Sequence, residues 1–234
     1  MCIVFLINAL RIGGAERVFV DDANYLSSKG YKVHVVTLFD AGPLAKELSN
    51  DVQVQELGAH GSFDPKALRA FLRIVPAHPC IVITTLNEAN VFGRVAALFS
   101  PNIILYTREA NMADRKSLRY KLFDWLFGWR SNRIIAVSKA VAHSLGTYAP
   151  WLLNRVTVLY NGAPHFDTPR ARDTAAYTRI LAVGSLTAKK DHALLIRALA
   201  CLPEMYTLTI VGDGLVETSL RGLYGSFLLR PGFL

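Results

Sequence analysis

Apolar residues along the chain change period repeatedly. Residues 3–7, Ile-Val-Phe-Leu-Ile, form an apolar run of strand length; after a glycine-containing loop, Val18, Phe19, Ala23 and Leu26 recur at helical spacing up to Gly30. Together they predict a βα unit. Further β-rich runs fall at 33–38, 52–57, 80–85, 103–107, 133–137 and 156–160, with helical stretches between most of them. Strands alternating with helices predict an α/β fold, a doubly wound parallel sheet of Rossmann-like type over residues 1–165. Residues 161–178 turn to Gly, Pro, Arg, Asp and Thr without periodicity, and 166–178 is expected to be a linker. A second βαβ then runs from a strand at 180–183, through a helix bearing Leu194, Leu195, Ala198, Leu199 and Leu202, to a strand at 207–211. Periodicity fades after Leu223, so 179–234 reads as an incomplete second Rossmann-like domain of two strands with exposed edges. The tail 224–234 is expected to be a truncated or frame-shifted end.

Composition narrows the partners. Of 234 residues 52% are apolar, which excludes intrinsic disorder, and 26 Lys or Arg against 18 Asp or Glu leave a formal charge of +8. The length admits one large domain or two modest ones, not two full α/β domains. A positive excess permits an anionic partner without choosing it. No helix-turn-helix, zinc or RNA-binding signature accompanies the charge, so no nucleic-acid partner is expected. The apolar opening lacks a basic leader and a small-residue cleavage site and ends at Arg11; it reads as a first strand. No run reaches the roughly 18 apolar residues of a spanning helix. Cys2, Cys80 and Cys201 lie far apart in sequence, and the six histidines are scattered, so neither a metal site nor a disulfide framework is expected. Reduced, mostly buried cysteines fit a cytoplasmic protein.

Three strand-to-helix turns carry candidate chemistry. In Arg11-Ile12-Gly13-Gly14-Ala15-Glu16-Arg17 the paired glycines admit close approach of a ligand to a helix N-terminus, or simply make a tight turn. In Val183-Gly184-Ser185-Leu186-Thr187-Ala188-Lys189-Lys190-Asp191 a lysine opens a helix at a strand end; it suits a diphosphate, or is a solvated lysine. Ile210-Val211-Gly212-Asp213-Gly214 admits a ligand or bends the chain. The dinucleotide fingerprint and the P-loop are both absent.

Arg108, Glu109 and Asn111, expected in a loop after the strand at 103–107, are acceptor-side candidates; the alternative is a surface ion pair between Arg108 and Glu109. Asp21 and Asp22 read as solvated helical positions. A helix at about 114–130 has two apolar stripes. Leu118, Leu122, Trp125, Leu126 and Trp129 form one; Tyr120, Phe123 and Phe127 point nearly opposite, beside Lys116, Arg119 and Arg130. The second face is expected either to contact an anionic membrane or to be buried with the first.

Taken in order, these segments resemble the group-1 (family 4) glycosyltransferases of GT-B fold. Gly13-Gly14-Ala15-Glu16-Arg17 looks like the family's N-terminal loop, Arg133-Ile134-Ile135-Ala136-Val137-Ser138-Lys139 like the segment ending its N-domain sheet, and Val158-Leu159-Tyr160-Asn161-Gly162 like its entry to the interdomain linker. Residues 183–198 resemble "VGRLxxxKxxxxLIxA" and 210–214 resemble "IVGDG". The resemblance implies sugar transfer from a UDP- or GDP-linked nucleotide sugar, bound by the C-domain, to a glycan or lipid-linked acceptor bound by the N-domain, in cell-envelope polysaccharide synthesis. No cofactor or metal is implied. Gly13, Gly14, Ser185, Lys190, Gly212, Asp213 and Gly214 become donor and phosphate candidates, and Glu16 joins Arg108, Glu109 and Asn111 on the acceptor side. Location is expected to be cytoplasmic, peripheral at the inner face of the membrane. Two departures stand out: Ser185 occupies the family's arginine position, and the family's E-x7-E segment does not follow Gly214. Impaired transfer is expected, the alternative being a non-catalytic remnant that serves as a binding module.

Overall fold

The structure, a computed structural model, describes residues 2–162, 178–203 and 205–227. The chain divides into two units, Met1–Pro164 and His165–Leu234. The linker expected at 166–178 lies outside the described residues except for Thr178, as do residues 228–234.

In the first unit each apolar run becomes a strand, and the helix after it returns the chain so that the next strand runs parallel. The strands are β1 (Cys2–Ile7), β2 (Lys32–Thr37), β3 (Gln53–Glu56), β4 (Cys80–Thr85), β5 (Ile103–Glu109), β6 (Arg133–Ala136) and β7 (Val156–Val158), in the order β3-β2-β1-β4-β5-β6-β7. The helices are α1 (Gly14–Ser28), α2 (Pro65–Ile74), α3 (Asn87–Phe99), α4 (Leu118–Phe127) and α5 (Lys139–Gly146).

β1 is apolar throughout because helices cover both its faces. Ile3, Phe5 and Ile7 pack with Phe19, Val20 and Ala23 of α1, and Val4 and Leu6 belong to the core shared with Phe71 of α2 and Phe92 of α3. Phe5 and Phe19 meet edge to face at 5.2 Å, as do Phe71 and Phe92 at 5.5 Å. Asp64 caps α2 by accepting from the Lys66 and Ala67 N–H groups, with Pro65 in the first turn. Order reverses between β1 and β4, the switch point at which the carboxyl ends of such a sheet open a crevice.

Cys2 and Cys80, distant in sequence, are buried neighbours on β1 and β4, and the Cys80 Sγ–H donates to the Cys2 carbonyl at 3.4 Å. Burial, aided by Cys2, pushes the Cys80 thiol up to about 12, so it stays protonated and unreactive. Cys201 is exposed.

The second unit pairs β8 (Thr178–Val183) with β9 (Tyr206–Val211) in parallel, carrying α6 (His192–Ala200) and α7 (Glu217–Phe227). α7 continues to Phe227, past Leu223 where the periodicity of the sequence fades. Its core is small: Leu186, Ile196 and Leu220 are buried, and Leu181, Val183 and Val211 on the strands are exposed. Among the described residues no helix is long and apolar enough to cross a membrane.

Candidate functional site

At the switch point, Asn8 follows β1 and Glu88 opens α3 after β4. The Asn8 amide donates to Glu88 Oε2 at 2.6 Å, and its carbonyl accepts from the Ala89 N–H at 3.0 Å. Tyr120 of α4 donates to the other Glu88 oxygen. Burial would raise the Glu88 carboxyl, but the Tyr120 and Asn8 hydrogen bonds outweigh it and hold it below the usual range, keeping it ionised. Leu86, between β4 and α3, sits at φ 78°, ψ 158°, where sterics admit essentially only glycine. Strain of this kind, of order 1–3 kcal/mol, collects at functional edges. Neither Asn8, Leu86 nor Glu88 was singled out in the sequence. The available signal was position: in this strand order, the residues after β1 and β4 flank the crevice.

The glycine loop lies on the same edge. Gly13 is extended (φ −169°), a conformation open to any residue, and the atom nearest a Cβ there is the flexible Glu16 carboxylate. Around a Cβ on Gly14 there is nothing within 4 Å. The turn itself therefore does not demand glycine at 14, and the alternative of a purely geometric Gly-Gly turn loses its steric basis.

Arg108 and Glu109 are the last residues of β5, not loop residues, and they do not pair with each other. Arg108 is buried and donates to Asp22 of α1 at 2.7 Å and to the side-chain Oδ1 of Asn161 at 2.6 Å. Asp22 is thus paired while its side chain stays 48% exposed. Glu109 belongs to a buried quartet: Lys116 lies 2.6 Å from Glu109 and 2.7 Å from Asp124, and Arg94 lies 2.5 Å from Asp124 and 3.7 Å from Glu109. Asn90, Ser131 and Tyr148 complete the hydrogen bonds. Burial opposes charge on Asp124, but Arg94 and then Lys116 hold its carboxyl below the ordinary range. Burial likewise opposes charge on Lys116, yet Glu109 and Asp124 hold it raised. Asn111 stays in the loop after β5 and lines a recess of only ≈ 10 Å³ with Glu109, Lys116 and Tyr148, room for about one water. Arg108 and Glu109 thus tie β5 to neighbouring elements of the first unit.

The same quartet orients α4. Asp124 turns inward to Arg94 and Lys116 and brings Tyr120, Phe123 and Phe127, on its own face, half under cover; Phe123 stacks on Phe127 and meets Phe63 at a tilt. Of the expected membrane contacts, the Lys116 side chain is only 4% exposed, Tyr120 is bound to Glu88, and Phe123 and Phe127 are half-buried against neighbouring rings. Arg130 is half-buried and donates to the Ala97 carbonyl. Only Arg119 of that group is exposed. The outward stripe is the other one, Leu118, Leu122, Trp125, Leu126 and Trp129, extended by Trp151, which meets Trp125 edge to face at 5.2 Å.

In the second unit the turns after β8 and β9 are bonded together. The Gly184 N–H donates to the Val211 carbonyl, the Leu186 N–H to the Asp213 carbonyl and the Val216 N–H to the Leu186 carbonyl. Here glycine is a steric necessity. Gly212 (φ +157°) and Gly214 (φ +150°) would place a Cβ 2.0 Å from the Gly184 oxygen and 2.3 Å from the Leu186 oxygen. Ser185, Lys190 and Asp213 are exposed, and the Lys190 stem passes 3.8 Å from a Cβ position on Gly184. The structure thus brings Ser185, Lys190 and residues 212–214 to one strand-end ledge. Among the described residues no group of three His, Cys, Asp or Glu is placed to hold a metal.

The profile of Glycosyltransferase Family 4 matches residues 12–165. In structure the whole chain is similar to Anabaena HepE, solved with UDP, with a TM-score of 0.80 and 19% identity, covering 68% of that chain. It is also similar to the apo form of the lipopolysaccharide outer core galactosyltransferase WaaB (TM-score 0.74, 17% identity, 67% of that chain). Sucrose-phosphate synthase from Thermosynechococcus elongatus gives a TM-score of 0.73 at 15% identity, with 70% of that chain covered. The whole of this chain is covered in each case, and at these identities the likeness is one of fold. No curated protein sequence matches the chain.

Proposed function

We propose that this chain, which belongs to glycosyltransferase family 4, takes a sugar from a UDP- or GDP-linked donor held by the second unit and passes it to a glycan or lipid-linked acceptor at the switch-point crevice of the first. The observation that carries the donor half is the ledge at β8 and β9, where Lys190 lies over Gly184 at the start of α6. As the bond from the sugar's anomeric carbon to the β-phosphate oxygen breaks, its electrons pass to the phosphate. An ammonium and helix N–H groups stabilise the charge that develops there. In this reading Lys190 supplies the cation, no metal ion takes part, and chelators leave donor binding unchanged. Gly14 offers unobstructed backbone to a phosphate, and Gly13 beside it lies next to the Glu16 carboxylate. Asn8, Glu88 and Glu16 form the polar acceptor side, where the two glutamate carboxylates accept from sugar hydroxyls.

HepE was solved with UDP, which supports the donor class, and WaaB, a lipopolysaccharide outer core galactosyltransferase, supports a cell-envelope polysaccharide as acceptor. The Leu118–Trp129 stripe, with Arg119 beside it in a chain of +8, supports peripheral docking on the anionic inner face of the cell membrane, from the cytoplasm. Binding without turnover is favoured by one observation: exposed Ser185 stands where the family has an arginine, and a hydroxyl cannot replace a bidentate cation.

Calorimetric titration of the 234-residue chain with UDP, GDP and UDP-glucose, beside a transfer assay, tests the proposal. One nucleotide should bind, and Lys190→Ala should weaken it about tenfold or more, the worth of one charge-assisted contact. Affinity untouched by Lys190→Ala, or no binding of either nucleotide at millimolar concentration, sinks it.

A further inference from the structure

His192 is the first residue of α6, follows the cap Asp191, and is 7% exposed. Its Nε2 is buried and, among the described residues, has no hydrogen-bond partner. A buried polar atom left unpaired is destabilising and calls for an explanation. The ring is not remote from the ledge. Nε2 lies 3.9 Å from the position of a Cβ on Gly184, and Lys190 Cδ and Cε lie 3.8 Å from the same point. Gly184 thus floors a notch with the Lys190 stem on one wall and the imidazole on the other.

The backbone around the notch is arranged to hold this geometry. Asp191 adopts the left-handed conformation (φ 47°, ψ 46°), which Asp tolerates better than most residues. It caps α6 through its Oδ1 on the Leu194 N–H at 3.3 Å. The N–H groups of His192 and Ala193 are first-turn donors, which have no partner within their own helix. Two independent features therefore converge on one spot: the start of a nine-residue helix and an unpartnered, buried imidazole nitrogen.

We infer that His192 is a phosphate-positioning residue: its Nε2–H donates to an oxygen of the diphosphate that Lys190 neutralises. This rests on the reading of the second unit as the donor half. Lys190 is exposed and carries four rotatable bonds, so its ammonium follows an incoming phosphate and its stem leaves the notch, giving that oxygen access to Nε2. Gly184 serves the same end, since any side chain there fills the notch. The lysine provides a mobile point charge, and the buried ring a directional donor on a rigid element. Together they place the phosphate as well as attract it.

The test uses the 234-residue chain with 15N-labelled histidine, the His192 ring signals being assigned by their loss in His192→Gln. Inorganic pyrophosphate and UDP should each shift those signals saturably, whereas uridine should not. In calorimetry His192→Leu should weaken pyrophosphate and UDP about tenfold, the scale of one hydrogen bond to a charged group. His192→Gln, whose amide also donates, should restore most of that loss, an outcome a merely structural role does not produce. UDP that binds without moving the His192 signals, or binds His192→Leu as it binds the parent chain, overturns the inference and leaves the donor reading standing. Pyrophosphate that shifts His192 while UDP binds no more tightly than pyrophosphate keeps the inference and removes the nucleotide reading. Absence of both ligands at millimolar concentration removes both.

Discussion

The two units place glycines at the same kind of position, the turn from a parallel strand to a helix, for opposite reasons. After β9, Gly212 and Gly214 are required by the chain itself, because carbonyl oxygens of the neighbouring turn occupy the space a Cβ needs. After β1, Gly14 is in open space and ordinary backbone, so the fold gives no reason for it. The cores differ in the same sense. The first unit builds a seven-stranded sheet and buries four charges beneath its strand ends; the second, among the described residues, holds two strands and four buried apolar residues. A wide, dry core lets a polar network be rigid, whereas a narrow sheet must obtain precision from backbone-to-backbone contact.

Removing one charge from the quartet is the harshest test of this contrast. Arg94→Met leaves Asp124 and Glu109 with Lys116 alone, and stability of the first unit in urea should fall by about 3–5 kcal/mol. Hydrogen exchange in β8 and β9 should stay unchanged. The pH profile should carry the same signature. Asp124 is depressed below its ordinary 3.8, so its contribution is present above that value and is lost as pH falls through the lower folded value. Lys116 is raised above 10.5, so its contribution is complete below 10.5 and is lost as pH rises through the higher folded value. A flat stability plateau between these limits is expected, and a midpoint near neutrality would contradict the assignment.

A pair of glycine substitutions sharpens the comparison at smaller scale. Gly212→Ala should destabilise the second unit by about 1–3 kcal/mol and loosen exchange at Gly184 and Leu186. Gly14→Ala should leave stability level or raise it by up to about 1 kcal/mol, since alanine suits a helix better, while weakening UDP. Loss of stability at Gly14→Ala would return that glycine to the fold.

The smallest effect is expected at the surface. Leu122→Ser with Trp125→Ser should reduce co-sedimentation with anionic vesicles severalfold, most visibly at low salt, because each nearby basic residue contributes about 1 kcal/mol that salt screens. Phe123→Ser with Phe127→Ser should instead lower the melting temperature. Unchanged vesicle binding in the first pair would remove the membrane role from that stripe.

Much of the sheet was legible in the sequence, because strands covered on both faces read as short apolar runs; 80–85 coincides with β4 and 33–38 nearly with β2. What periodicity could not show was rank between two apolar stripes. In α4 the choice was made by Asp124, which reads as a polar interruption but is drawn inward by Arg94 and Lys116, thirty residues before it and eight. Arg108 and Glu109 were misplaced for a related reason: charged residues at a strand end look like loop, and their partners Asp22 and Lys116 come from other elements. Asn8 and Glu88 are 80 residues apart and carry no local pattern; only the strand order joins them. The glycine turns and Lys190 were visible because strand-to-helix turns of this type are local.

The quartet also constrains how such a sequence drifts. Lys116 and Arg94 each touch both Glu109 and Asp124, so no member can change alone without stranding a charge in the core. An all-apolar replacement of the four would be a sound core, but every single-step route to it passes through a broken intermediate. The arrangement is therefore entrenched: descendants of this chain inherit all four residues together or reach a different core by simultaneous change.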